Sequence, residues 1–401
     1  MRVTDLTVHA VLYSVHHESV SALWVTGSDR KEVTLGRTKD ILPQANALRE
    51  ELSRTVDVAV GKVPLLESFA RTWGRELLPP EVIADPPDVL VLVPHAFLHD
   101  LPLHLVLTDT GRPLGAVSGL TYCSGMTTFN ICARRNPSRR VDPDSWTFGE
   151  QGGPRGYRTG RTLRIGGVDV LASSDDAFAR LAAAIADSFD GDKVVAADPS
   201  GVLATLDRAF AMLSFKPPAL ADRWDDIVCF VAHGDIDVEQ HRFSGLLFGT
   251  DSTMAQLKTG FGVDIDGRTY WRKDLPLRAA PTANTRLPTE VLTAAELESF
   301  GYSGTELVCL LGCSAGLGRV LQADEPASLA ETFLKLGSSA VIAPMWDAHI
   351  EPTGKWIRSF LEAWLREGKP KALAVRDATS ELLSLYGPQL AGVLTLRGDW
   401  L

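Results

Sequence analysis

The sequence predicts an α/β fold, a mostly parallel sheet with helices on both faces. Short continuous apolar runs recur at 89–93, 227–232 and 307–311, and such runs suit strands covered on both sides. Segments with helical spacing lie between the runs. From about residue 167 strand-like and helix-like segments alternate, which is the pattern of parallel sheets.

The elements follow in chain order. Residues 6–13, 20–26 and 31–35 read as strands. Residues 44–55 and 64–78 carry helical spacing, as in Leu65, Leu66, Phe69, Ala70 and Trp73. The 89–93 strand stops at Pro94, which lacks the N–H to continue a ladder, and 120–125 reads as another strand. Residues 134–164 hold eight arginines, several glycines and prolines, and little periodicity. An exposed flexible linker fits them, and so does a cleavable or partner-sensing loop. Beyond it, 167–171 is a strand, and Ser174 caps a helix with Phe178, Leu181, Ile185 and Phe189 on its apolar face. A strand at 193–197, a helix at 201–213, and strands at 226–232 and 244–248 come next. Residues 250–288 form a long insertion rich in Gly, Pro and Thr. A helix at 293–299 leads to the 306–311 strand. The helix at 325–336 ends at Gly337, suited to a left-handed cap. A strand at 339–343, helices at 355–367 and 370–385, and a last strand at 391–397 complete the chain.

Composition limits the function. The chain has 401 residues, 45% hydrophobic and 22% charged, which is ordinary for a globular protein of two or three compact parts. A formal net charge of −10 argues against nucleic acid as a partner, because that affinity rests on neutralising phosphates. No apolar run is long enough for a membrane span and no signal peptide is visible, so no membrane association is expected. The five cysteines are odd in number and spread out, which reads as reduced thiols of a cytoplasmic protein. His95, His99 and His104 are close together, but Pro94 and Pro102 interrupt any helix that could present them to a metal. No metal site and no cofactor is expected.

Two segments carry chemistry: DIVCFVAHG at 226–234 and ELVCLLGCSAG at 306–316. Each is an apolar strand delivering one reactive residue, His233 or Cys313, into a glycine-containing turn. In parallel sheets, sites form beyond the carboxyl ends of strands. Gly312, Ser314, Ala315 and Gly316 leave room for a carbonyl to approach the thiol, and glycine lets backbone N–H groups face an oxyanion. An imidazole can take the proton of a thiol and leave the nucleophilic thiolate. Cys229 and Cys309, in mid-strand, read as core residues. Taken singly, His233 also fits a structural role and Cys313 also fits turn packing. The two matching strand-end positions together favour catalysis.

These motifs resemble the caspase-like cysteine proteases, specifically the CHAT branch and its relative separase. VLVPHAFLHDLPLHLVL (90–106) is similar to that family's "vPdg-L-lPf-aL" segment, with His95 and Ala96 in place of the usual Asp and Gly. FSGLLFG (243–249) resembles the strand after the histidine. LTAAELESFGYSGTELVCLLGCSAG (292–316) resembles the approach to the cysteine, SLAETFLKLGSSAVIAPMWDAHI (328–350) the helix, strand and Trp-Asp that follow, and LAGVLTLRGDW (390–400) the final strand. The resemblance implies a cysteine endopeptidase that cleaves a specific protein substrate. Cys313 would be nucleophile and His233 base, and the N–H groups of Gly234 and Cys313 would form the oxyanion hole. It implies an N-terminal pseudo-protease half at 1–135, the linker at 136–164, and an active half at 165–401 bearing the 250–288 insertion. Regulation by a protein partner or by processing is expected. Asp347 or Glu351 would favour a basic P1 residue if either faces the pocket; otherwise Met345 and Trp346 would wall an apolar one. Trp346 fits core packing equally well. Two alternatives stay open: an inactive caspase-like binding module, and a cysteine hydrolase of small molecules with the insertion as a lid.

Overall fold

The computed structural model describes residues 5–27, 29–54, 63–135, 162–166, 181, 184–186, 192–195, 225–232, 234–235, 245–249, 262–265, 268–271, 289–299, 305–311, 319–320 and 326–401. The chain divides into two units. The first comprises Met1–Thr159, Val320–Pro326 and Pro344–Leu401, and the second Gly160–Arg319 and Ala327–Ala343.

Apart from the two-residue strands Arg319–Val320 and Pro326–Ala327, the described strands, in chain order, begin with β1 (Val8–Val15), β2 (Val20–Thr26), β3 (Asp29–Gly36), β4 (Val89–Val93) and β5 (Gly119–Tyr122). They continue with β6 (Thr162–Gly166), β7 (Asp192–Val195), β8 (Asp225–Phe230), β9 (Gly234–Asp235), β10 (Gly245–Gly249), β11 (Gly262–Ile265) and β12 (Arg268–Trp271). Last come β13 (Thr289–Thr293), β14 (Thr305–Leu310), β15 (Ala340–Pro344) and β16 (Leu394–Gly398). The helices are α1 (Thr38–Arg54), α2 (Pro64–Arg71), α3 (Pro80–Ala84), α4 (Met126–Arg135), α5 (Ala294–Ser299), α6 (Leu329–Leu336), α7 (Ile350–Leu361) and α8 (Lys371–Ala391).

In the first unit the strand order is β3-β2-β1-β4-β5-β16. β1, β2 and β3 form an antiparallel meander, and β1, β4, β5 and β16 run parallel. Every residue of β4, β5 and β16 is buried, as a sheet covered on both faces requires. β3 opens with the exposed charges Asp29, Arg30, Lys31 and Glu32, which discourage another strand from adding at that edge. α8 packs on α7 and on β5, and α4 packs on β16.

In the second unit the order is β15-β14-β8-β6-β7, all parallel. A separate antiparallel sheet has the order β13-β10-β9. α5 packs on α6. The side chain of Ser328 accepts the Glu331 N–H at the start of α6, and Gly337 closes the helix with φ 135°.

Several elements differ from the sequence expectation. The 64–78 helix stops at Arg71 and a 3-10 turn takes over at Arg75–Leu77; between them the Gly74 N–H donates to the Phe69 carbonyl at 2.9 Å, an approach that glycine permits, since a Cβ there would lie 2.5 Å from that oxygen. The last three residues of the expected linker, 162–164, belong to β6. The 325–336 helix begins only at Leu329, since Pro326–Ala327 is extended. The 250–288 insertion contains the β11–β12 hairpin. Ala96 takes φ 53°, a conformation natural to glycine, at the position where the motif it resembles carries glycine. The expected strand at 167–171 and helix at 201–213 lie outside the described residues.

Candidate active site

β8 and β14 are hydrogen-bonded parallel neighbours. Ile227 pairs with Leu307, Val228 with Val308, Cys229 with Cys309 and Phe230 with Leu310. The ladder continues through Leu311, whose N–H donates to the Phe230 carbonyl at 2.8 Å. Residues 227–230 and 307–310 are fully buried, so β8 and β14 are core strands whose carboxyl ends open at the same level. Phe230 also packs on Phe333 of α6, with ring centroids 5.8 Å apart. His233 and Cys313, which follow these ends, lie outside the described residues.

The four cysteines among the described residues, Cys123, Cys132, Cys229 and Cys309, are buried thiols outside any disulfide. Burial pushes the Cys309 thiol well up, and the neighbouring Cys229 adds to the effect. Such a thiol stays protonated and unreactive. Gly234 begins β9 and stands opposite Leu246 of β10, with Asp235 opposite Gly245.

The proposed pocket residues lie in the first unit. Met345 and Trp346 are buried. The Trp346 indole N–H donates to the Gln389 carbonyl at 3.2 Å, and its ring stacks on His104 at 6.3 Å between centroids with 9° between planes. Asp347 is half-buried. Glu351 is exposed and bound by Lys355 at 3.1 Å and by the Tyr386 hydroxyl at 2.9 Å. Lys355, then Tyr386, hold its carboxyl below the usual range. Glu351 stands at a largely apolar groove of about 860 Å³, whose walls include Leu66, Ala70, Leu105, Ile350 and Leu390.

Sequence reasoning missed a buried network around His104. Its Nε2 lies 2.7 Å from the Gly392 carbonyl and its Nδ1 2.8 Å from the Tyr122 hydroxyl. Burial pushes its pKa down to about 4. His99 is pushed to about 3 by burial first, then by Arg397 and His95. His95 accepts the Val15 N–H through Nδ1 at 3.0 Å. Among the described residues no three His, Cys, Asp or Glu side chains group as metal ligands, and no helix is long and apolar enough to cross a membrane.

The topology and its paired strand ends define a caspase-like α/β fold. A chain of the Saccharomyces cerevisiae separase–securin complex superposes with a TM-score of 0.56 at 9% identity, over 99% of this chain and 30% of that one. A second separase–securin structure gives 0.52 at 10% identity, over 98% and 30%. The present chain thus spans about 30% of the length of the separase-complex chains it matches. The Arg-specific cysteine proteinase gingipain R (RgpB) gives 0.43 at 11% identity, over 90% and 74%. The likeness to the separase-complex chains is one of fold. The chain belongs to the CHAT domain family, whose model matches residues 67–389. No curated protein sequence matches it.

Proposed function

We propose that this chain is a cysteine endopeptidase that cleaves a specific protein partner, with Cys313 as nucleophile and His233 as base. The register of β8 and β14 carries the reading. Phe230 pairs with Leu310, and His233 and Cys313 each come three residues later in their own segments. Neighbouring strands are about 4.8 Å apart, a spacing compatible with a thiol–imidazole pair at one sheet rim. Family membership and the fold support the same chemistry.

In the proposed reaction His233 takes the Cys313 proton and the thiolate attacks the scissile carbonyl. The N–H groups of Gly234 and Cys313 are the proposed donors to the resulting oxyanion. His233 then protonates the leaving amine as the C–N bond breaks. Water, deprotonated by the same ring, hydrolyses the thioester and returns the thiol. We assign the first unit a non-catalytic role. His95 and Cys123 follow β4 and β5 there, but the Cys123 thiol is buried and donates to the Gly398 carbonyl at 3.6 Å, and the His95 ring is bound to Val15.

The test is an unbiased cleavage screen of wild type against Cys313→Ala. Cleavage should fall by about 10³-fold or more while the melting temperature stays put. Cleavage retained by the variant would remove the proposal.

A further inference from the structure

We propose that a groove in the first unit is a docking site for a helix of a protein partner, one that inserts an uncharged apolar face. The inference stands apart from the dyad reading and survives its failure. The groove, of about 860 Å³, lies between α2, the start of α7 and the break in α8 at Gly387 and Pro388. Every residue lining it belongs to the first unit. On α2 the lining positions are Leu66, Glu67, Ala70 and Arg71, which recur at helical spacing, so one face of that helix is turned to the groove. Helical walls suit a helical occupant, whose side-chain ridges fit between theirs.

Two observations select the occupant. The first is charge. Each acid at the rim is bound by a base of its own helix, Glu67 by Arg71 at 3.1 Å and Glu351 by Lys355 at 3.1 Å. Acid and base cancel on both walls, so no carboxylate or guanidinium of the groove is left for a charged ligand to complement. The matching surface is uncharged and apolar. The second observation is exposure. Leu385, on the α8 wall, is 60% exposed, more than any other large apolar side chain among the described residues. An exposed apolar side chain that extends an apolar groove marks an interaction surface. Its cover must reach beyond the cavity, as a protein segment does and a small solute does not. An apolar centre inside a rim of paired charges is also the anatomy of a protein interface.

The experiment screens a random-peptide library displayed on phage against the full chain, with Leu385→Asp as counter-target. Enriched peptides are then made with a fluorescent label and titrated against both proteins. They should carry apolar residues at i, i+3, i+4 and i+7. They should bind Leu385→Asp more weakly by on the order of tenfold or more. Their affinity should hold between about 0.05 and 0.5 M salt, since no charge pair is formed. Leu385 is exposed, so the variant should melt with wild type; if it does not, Leu385→Gln replaces it. Peptides that bind both proteins equally or need low salt overturn the proposal, and so does a library that enriches nothing. Self-association of the full chain that Leu385→Asp abolishes makes the face a contact between copies. Binding of the uncharged dye Nile red that depends on Leu385, with no peptide competing, makes it a small-molecule site. Either result overturns the partner helix.

Discussion

Burial decides the protonation of His104. The Gly392 carbonyl can only accept, so Nε2 carries the proton and Nδ1 accepts from the Tyr122 hydroxyl, which itself accepts the His104 backbone N–H at 3.1 Å. Only the neutral ring fits these bonds. Its pKa of about 4 lies below the unfolded value of about 6.5. The stabilisation is therefore complete above about pH 6.5 and is lost as pH falls from there toward 4. Between pH 7 and pH 5 this ring alone should remove about 2 kcal/mol of stability. His104→Phe should lose about 2–4 kcal/mol at pH 7, because a buried carbonyl and a hydroxyl lose their partner, and should flatten the pH dependence by about 2 kcal/mol. Urea melts of both proteins at the two pH values check this, and equal slopes would refute a ring held neutral. Sequence reasoning weighed His95, His99 and His104 as metal ligands and His95 also as a motif departure, but none of them as part of a buried network. Spacing could not reveal that His104 would meet a carbonyl 288 positions away.

Elements with strong local signals were legible from sequence: the apolar runs of β4, β8, β14 and β15, and the amphipathic spacing of α7. Of the candidate site, the two strands that lead to it were legible to the same depth. The strand ends that precede His233 and Cys313 could be read from their apolar runs, whereas the hydrogen-bonded adjacency of β8 and β14 required long-range pairing. Boundaries shifted where tertiary contacts outweighed propensity. The expectation of helix at 370–385 stops just short of a true break in α8 at Gly387, where φ is 77° and ψ 174°. That conformation is essentially reserved for glycine. A Cβ there would meet nothing within 4 Å, so the cost of adding one is conformational. The break is also anchored, since Trp346 holds the Gln389 carbonyl just beyond it. Gly387→Ala should destabilise the protein by about 1–3 kcal/mol, measured by urea unfolding. An unchanged midpoint would mean that α8 can straighten without loss.

At the scale of the whole chain, the first unit is discontinuous: it holds the N-terminal region and also Pro344–Leu401. Local patterning cannot announce this, because β16 pairs with β5 across more than half the sequence. The pairing is densely supported. The Gly398 carbonyl accepts from the Thr121 hydroxyl at 2.8 Å, and the Trp400 carbonyl accepts the Ala372 N–H at 3.0 Å. Leu394, Leu396 and Trp400 are buried, and burying an aliphatic or aromatic side chain of this kind contributes about 1.5–3 kcal/mol. Their sum rivals the roughly 5–15 kcal/mol that holds a domain folded. A chain ending at Gly392 should therefore lose the cooperative melt of the first unit. Cys123 reports on this directly: it is 2% exposed in the full chain and lies on the residue after β5. In the shortened chain it should react with a maleimide within minutes under native conditions, while in the full chain it stays protected. Continued protection of Cys123 together with an unchanged melt would show that β16 is dispensable and that the first unit closes without it.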